Sequence, residues 1–141
     1  LRVIFDNDAG PDDLMALAYL LACPDVHIEA ITTAYGLAHT ERGAHNILRF
    51  LTRCGRSDIP VYVGQDYPLR GTAAFPDRWR KLSNDLPGVA LPDTTWRAED
   101  LPAADYLRRR TGQDSTPVRI LATGALTNIS ELCDAACPAL E

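Results

Sequence analysis

Asp6-Asn7-Asp8-Ala9-Gly10-Pro11-Asp12-Asp13 is the stretch whose reading decides the fold. An apolar, β-branched run (Val3, Ile4, Phe5) precedes it, and an apolar run with helical spacing (Leu14, Ala16, Leu17, Ala18, Leu21) follows. That pattern predicts a strand over 1–5, a tight turn and a helix over 12–22. Four carboxylates fall within eight residues, with no Lys or Arg among them. Two like charges ~4 Å apart repel by about 1 kcal/mol in water, and by about 4 kcal/mol at an effective dielectric near 20. Protonation of one carboxyl would offset this. A divalent cation would offset it better, because hard cations prefer oxygen ligands. Side chains alternate along a strand, so Asp6 and Asp8 share a side while the chain stays extended. Gly10 permits the bend and Pro11 suits a first helical turn. Asp12 and Asp13 then stand at a helix N-terminus, where the macrodipole favours negative charge and where either could serve simply as a cap.

Outward from this turn, strands and helices alternate. Residues 27–33 read as a second strand. Thr40 could cap a helix through about Arg53, with Ala44, Ile47, Leu48 and Leu51 on one face and Gly55 ending it. Residues 60–63 read as a third strand. A long irregular stretch, 64–96, carries a short helix around Pro76–Leu82; loops of this length in compact domains tend to be functional or mobile. Residues 98–110 read as a helix, 118–122 as a fourth strand, and Thr123–Asn128 as a turn into a last helix. Such alternation indicates an open, mainly parallel, Rossmann-like α/β sheet flanked by helices. Ligands in these sheets bind beyond the carboxyl ends of the strands. Segments 6–13, 34–39 and 123–128 all leave strands at that edge. Leu126 and Ile129 are expected in the core.

The 141 residues suffice for one domain with a real core. A net charge of −5 argues against nucleic acid as a partner. The densest basic cluster, Arg108-Arg109-Arg110, closes a helix and complements its dipole. No apolar run approaches the roughly 20 residues of a membrane span. The chain begins without Met, so a removed leader is compatible with it; the compartment is undecided, with the cytoplasm favoured. Cys23, Cys54, Cys133 and Cys137 have no zinc-site spacing and read as buried small hydrophobes.

With these residues in view, the chain resembles the inosine–uridine-preferring nucleoside hydrolase family. The acidic turn matches the family's Asp-x-Asp-x-Gly-x-Asp-Asp opening. Thr32-Thr33-Ala34-Tyr35-Gly36 matches its Thr-Thr-x-x-Gly segment. Asn46 stands on the helix that follows. Thr123-Gly124-Ala125-Leu126-Thr127-Asn128 matches its Thr-Gly-x-Leu-Thr-Asn segment. The stretch from Phe75 to Val89 is similar to a less-studied bacterial branch.

The resemblance implies Ca²⁺-dependent hydrolysis of the N-glycosidic bond of ribonucleosides, in purine and pyrimidine salvage. It implies Asp8 and Asp13 as carboxylate ligands of the ion and Thr123 as a ligand through its main-chain carbonyl. Asp8 would also be the general base, Asp12 would hold a ribose hydroxyl, and Asp6 would orient the turn. A homo-oligomeric full-length protein is implied too. The family's remaining metal ligand, an Asp, and its leaving-group His lie in the later half of a chain about twice this long. The sequence is therefore expected to be one partial domain, 1–141, lacking a C-terminal half and inactive in isolation.

One departure concerns Leu37, which stands where the family has a sugar-binding Asn; His39 or Glu41 could compensate, and Tyr35, at the edge of the site, could touch the sugar. Trp79 and Trp96 could line a base pocket or pack in the core or loops. Two other function classes fit parts of the pattern. One is a haloacid-dehalogenase-like, Mg²⁺-dependent phosphatase using Asp6 as nucleophile. The other is a sugar- or nucleoside-binding module without catalysis.

Overall fold

The computed structural model describes residues 1–113 and 116–136. In chain order the elements are β1 (Arg2–Asn7), α1 (Pro11–Ala22), β2 (His27–Thr33), α2 (Thr40–Arg53), β3 (Val61–Val63), α3 (Asp77–Asp85), α4 (Ala103–Gln113), β4 (Arg119–Ala122) and α5 (Thr127–Ala136). The strands form one parallel sheet in the order β3-β2-β1-β4.

The central place of β1 follows from its composition. Val3, Ile4 and Phe5 are all buried, as a strand covered on both faces requires. Neighbouring side chains point to opposite faces. Phe5 joins Ile31 and Val61 against Leu14 and Leu17 of α1 and Ala44, Ile47, Leu48 and Leu51 of α2. Ile4 joins Ala30 against Leu107 of α4, with Ile129 and Leu132 of α5 packed alongside. The α2 face expected from the sequence is thus the buried one. Gly55, at φ +66°, ends that helix, in the left-handed conformation that suits glycine after a helix C-terminus.

Register sets the site. Asp6 lies beside Thr32 of β2 and Ala122 of β4. Two bonds extend the ladder past the strand ends: Ala34 N–H to Asn7 O at 2.8 Å and Thr123 N–H to Asp6 O at 2.9 Å. β1, β2 and β4 therefore stop at one level, and the loops that leave them open onto one rim.

Several expectations are corrected. The helix expected over 98–110 runs from Ala103 to Gln113, because Glu99 is taken up in a bridge to Tyr62 and Pro102 precedes the first turn. Arg110 does more than complement a dipole: it is buried and pairs with Glu29 of β2. Thr40 is inside α2 rather than its cap. His39 is the cap residue, without a side-chain cap bond, and Asp66 Oδ1 accepts from the Thr40 amide at 3.2 Å. Leu126 is 58% exposed rather than in the core, since it lies in the turn ahead of α5. Cys54 and Cys133 are exposed and Cys23 is half-buried, because each sits at a helix end or on an outer helix face; Cys137 lies outside the described residues.

Candidate active site

Asp6 is completely buried. Its Oδ1 accepts from the Thr32 hydroxyl at 2.6 Å and from Asn128 Nδ2 at 2.7 Å. Asn128 Nδ2 also donates to Thr33 O at 3.0 Å. The side chain therefore ties together the ends of β1 and β2 and the first turn of α5. Asp6 Oδ2 has no hydrogen-bond partner among the described residues. Burial pushes this carboxyl above the ordinary carboxylate range, against the two hydrogen bonds and with a smaller push from Asp13. An internal tie of this kind cannot reach a substrate, which removes Asp6 as a phosphatase nucleophile.

Past Asp6 the strand breaks. Asn7 Oδ1 accepts from the Ala9 amide at 3.0 Å, a local turn of the kind Asn side chains favour, and Ala9 takes φ +57°. This turns Asp8 toward the rim. The Leu37 amide donates to Asp8 Oδ2 at 2.8 Å, and the Ala38 amide donates to Asp8 O at 3.1 Å. The fit is close enough to require two glycines. A Cβ at Gly36 would stand 2.1 Å from Asp8 Oδ2, and one at Gly124 would stand 2.8 Å from Asp8 N. Real Cβ atoms do not approach so closely.

Asp13, at the third position of α1, is buried. Its Oδ2 accepts from the Gly10 amide at 3.0 Å, and its Oδ1 accepts from the Thr123 hydroxyl at 2.6 Å. The capping reading of Asp13 therefore holds together with a site reading, since the same carboxylate reaches the end of β4. Asp12, one residue earlier, is exposed at the mouth of the turn.

Asp8, Asp13 and Thr123 thus meet at one point. Burial first, and then an Asp13 carboxyl within hydrogen-bonding reach, push Asp8 up to about 7, against the pull of the Leu37 amide. Two carboxyls so close share a proton or a cation. Their oxygen-only donor set suits a hard divalent ion. Among the described residues, no group of three or more His, Cys, Asp or Glu side chains is arranged to hold a metal, so the carboxylates alone do not complete a coordination shell.

Beside these residues lies an apolar pocket of about 340 Å³, lined by Tyr35, Gly36, Ala73, Ala74, Phe75, Pro76 and Ala125. Gly36 touches Asp8 from one side, and Ala125 is two residues past Thr123. The pocket therefore lies next to Asp8, with Gly36 between them. A larger cleft, about 750 Å³, lies between α2 and residues 94–100. It is lined by no residue of the loops that leave β1, β2 and β4, so its size does not make it the reaction site.

The two residues expected to compensate for Leu37, His39 and Glu41, are engaged elsewhere, whereas Tyr35 does line the pocket. His39 Nδ1 is 2.5 Å from Asp66 Oδ2, Glu41 lines the remote cleft, and the Tyr35 hydroxyl donates to Ala73 O at 2.7 Å. Leu37 contributes its main chain, not its side chain. Trp79 and Trp96 are about half exposed and outside the pocket lining. Sequence reading missed the roles of Thr32 and Asn128 and the Ala73–Pro76 wall. The hydroxyl and amide ending their strand and opening their helix were a usable signal, but the wall carries no polar residue to mark it.

Comparison with known proteins agrees with this geometry. Residues 3–140 match the family model for inosine-uridine preferring nucleoside hydrolases. The pyrimidine-specific ribonucleoside hydrolase RihA of Citrobacter koseri is 36% identical over 132 residues, covering 94% of this chain and 42% of that protein. RihA of an Escherichia coli strain is 34% identical over the same length. A plant nucleoside hydrolase structure superposes with a TM-score of 0.82 at 32% identity, over 97% of this chain and 43% of that one. A purine-preferring ribonucleoside hydrolase from Gardnerella vaginalis superposes equally well at 26% identity. The chain spans under half the length of these relatives. It belongs to the inosine-uridine preferring nucleoside hydrolase family.

Proposed function

We propose that this chain, as a member of that family, is the N-terminal part of a single nucleoside hydrolase domain. The full-length protein hydrolyses the N-glycosidic bond of ribonucleosides to free base and ribose. The observation that carries the proposal is the meeting of Asp8, Asp13 and Thr123 at the rim, beside an apolar pocket sized for a flat base.

In this reading Asp8, Asp13 and the Thr123 carbonyl would hold Ca²⁺. When bound, such an ion lowers the pKa of water and fixes hydroxyl oxygens near it. Asp8 accepts the proton of the attacking water, its carboxylate aimed by the Leu37 amide. Asp12, exposed above the turn, takes a ribose hydroxyl. A substrate lacking that hydroxyl leaves a polar group unpaired and is rejected. The apolar pocket excludes water from the base side while the sugar gains oxocarbenium character. The acid for the leaving base and the last carboxylate ligand come from residues beyond this chain. Homo-oligomerisation of the full-length protein is part of the same proposal.

Incubating the full-length protein with uridine, cytidine or inosine, in Ca²⁺ and then in excess chelator, tests this. Ribose release that chelator abolishes and Ca²⁺ restores is expected. Turnover unaffected by chelator would remove the ion from the site, and no turnover of any ribonucleoside would remove the hydrolase reading.

A further inference from the structure

The side chain of Arg80, on α3, is 11% exposed although it is charged. Its Nη2 donates to Asp66 Oδ1 at 3.1 Å and lies 3.0 Å from His39 Nδ1. Asp66 Oδ2 is 2.5 Å from the same His39 nitrogen. The three side chains join three separate segments: the loop that bonds Asp8, the loop after β3, and α3. Burying a guanidinium costs several kcal/mol unless it is paired; Asp66 pairs it at Nη2, while the buried Nε has no hydrogen-bond partner among the described residues.

Arg80 also reaches toward the pocket. Its guanidinium carbon lies 5.4 Å from the centroid of the Tyr35 ring, within cation–π range. Tyr35 in turn holds Ala73 O through its hydroxyl at 2.7 Å. Ala73 begins the Ala73–Pro76 wall of the pocket beside Asp8. No strand or helix contains residues 64–76; the wall's far end is tied to α3 by the Trp79 and Arg80 amides on Pro76 O, and its near end by Tyr35.

We propose that Arg80 is a positioning residue: held by Asp66, which also binds His39, it fixes the Tyr35 ring and through it the Ala73–Pro76 wall of the substrate pocket. The consequence for turnover rests on the hydrolase reading above; the consequence for the wall does not. With Arg80 removed, Tyr35 loses the charge that pins its ring, and the Tyr35–Ala73 bond that ties the wall to the rim is less firmly held. Base binding suffers and the chemistry at Asp8 does not.

The test uses the full-length protein with Arg80→Met, Arg80→Lys and Asp66→Asn. The rate of tryptic cleavage after Arg70, in the exposed segment that leads into the wall, is measured first, without substrate. The Met variant is expected to be cut there about tenfold faster, a loss of the size expected when one cation–π contact and one charge-assisted bond go, with an unchanged far-UV circular dichroism spectrum. Asp66→Asn is expected to do the same, and Lys, which keeps the charge, to restore most of the resistance. For ribonucleoside hydrolysis the Met variant is expected to raise KM about tenfold with kcat within about twofold, the signature of lost ground-state binding. Unchanged cleavage after Arg70 in the Met variant overturns the proposal. Faster cleavage with an unchanged KM overturns it too, because the wall would then not serve the pocket. If the unaltered protein turns over no ribonucleoside, the hydrolase reading fails, and the cleavage result alone decides whether Arg80 holds the wall.

Discussion

The amide of Leu37 donates to Asp8 Oδ2 at 2.8 Å, so the residue that departs from the family pattern in its side chain still aims the carboxylate through its backbone. Nothing about a leucine side chain advertises this. It follows from the loop after β2 passing directly over the turn after β1, with Gly36 leaving room.

Gly36→Ala should therefore be severe. Its Cβ would stand 2.1 Å from Asp8 Oδ2, forcing the carboxylate off its amide. Displacing a reacting group by about 1 Å costs on the order of 10²-fold in rate. The expected outcome is a loss of kcat/KM of that order in the full-length protein, with an unchanged circular dichroism spectrum. Near-native turnover would show that Asp8 is not held as described.

The acidic turn should make the cation-free protein less stable as pH rises. Asp8 is raised to about 7 and Asp6 is raised as well, so between the ordinary Asp range and neutrality the folded state binds more protons than the unfolded one. Stability then falls with increasing pH across that window. Thermal midpoints measured in chelator should drop from pH 5 to pH 7.5. Added Ca²⁺ should raise the midpoint more at pH 7.5 than at pH 5, where protons compete for the same oxygens. A flat profile in chelator would count against the Asp8–Asp13 contact.

Glu29 works in the opposite sense and in a lower window. Its carboxyl is held below the usual range, chiefly by Arg110, then by Arg2. The stability it contributes is present above the unfolded pKa and is lost as pH falls through the folded one. Both Glu29 and Arg110 side chains are largely buried, so Arg110→Met leaves Glu29 with only Arg2 and the Tyr106 hydroxyl among its described partners. A cost of about 2 kcal/mol, that of a lost hydrogen bond to a charged group, is expected, read from urea unfolding, with turnover per folded molecule unchanged.

Asp12 and Asp13 should separate cleanly despite being neighbours. Asp12→Asn leaves every bond described here intact, so stability should hold while KM for ribonucleosides rises by roughly tenfold to a hundredfold, as for a lost hydroxyl partner. Asp13→Asn disturbs the Gly10 amide and the Thr123 hydroxyl together. It should lower stability by about 1–2 kcal/mol and abolish any dependence on Ca²⁺. Equal effects of the two substitutions in unfolding experiments would contradict the burial difference.

Residues 1–141 expressed alone should release no ribose from inosine or uridine in Ca²⁺. Robust release would show that the site needs no residue from outside this chain.

The alternation of strands and helices, the parallel sheet and the acidic rim were legible in the sequence because each depends on local pattern: β-branched runs, helical periodicity, and carboxylates crowded at a strand end. Even the convergence of segments 6–13, 34–39 and 123–128 followed from topology. What only the tertiary structure decided is which atoms face which. Asp6 is withdrawn into an internal tie because Thr32 and Asn128, 26 and 122 residues away, happen to lie beside it. Arg110 leaves the surface because Glu29 waits on β2. The pocket wall at 73–76 exists because Tyr35 reaches across 38 residues to Ala73. Hydrogen bonds of that reach are set by the packing of the whole sheet, and spacing along the chain carries no trace of them.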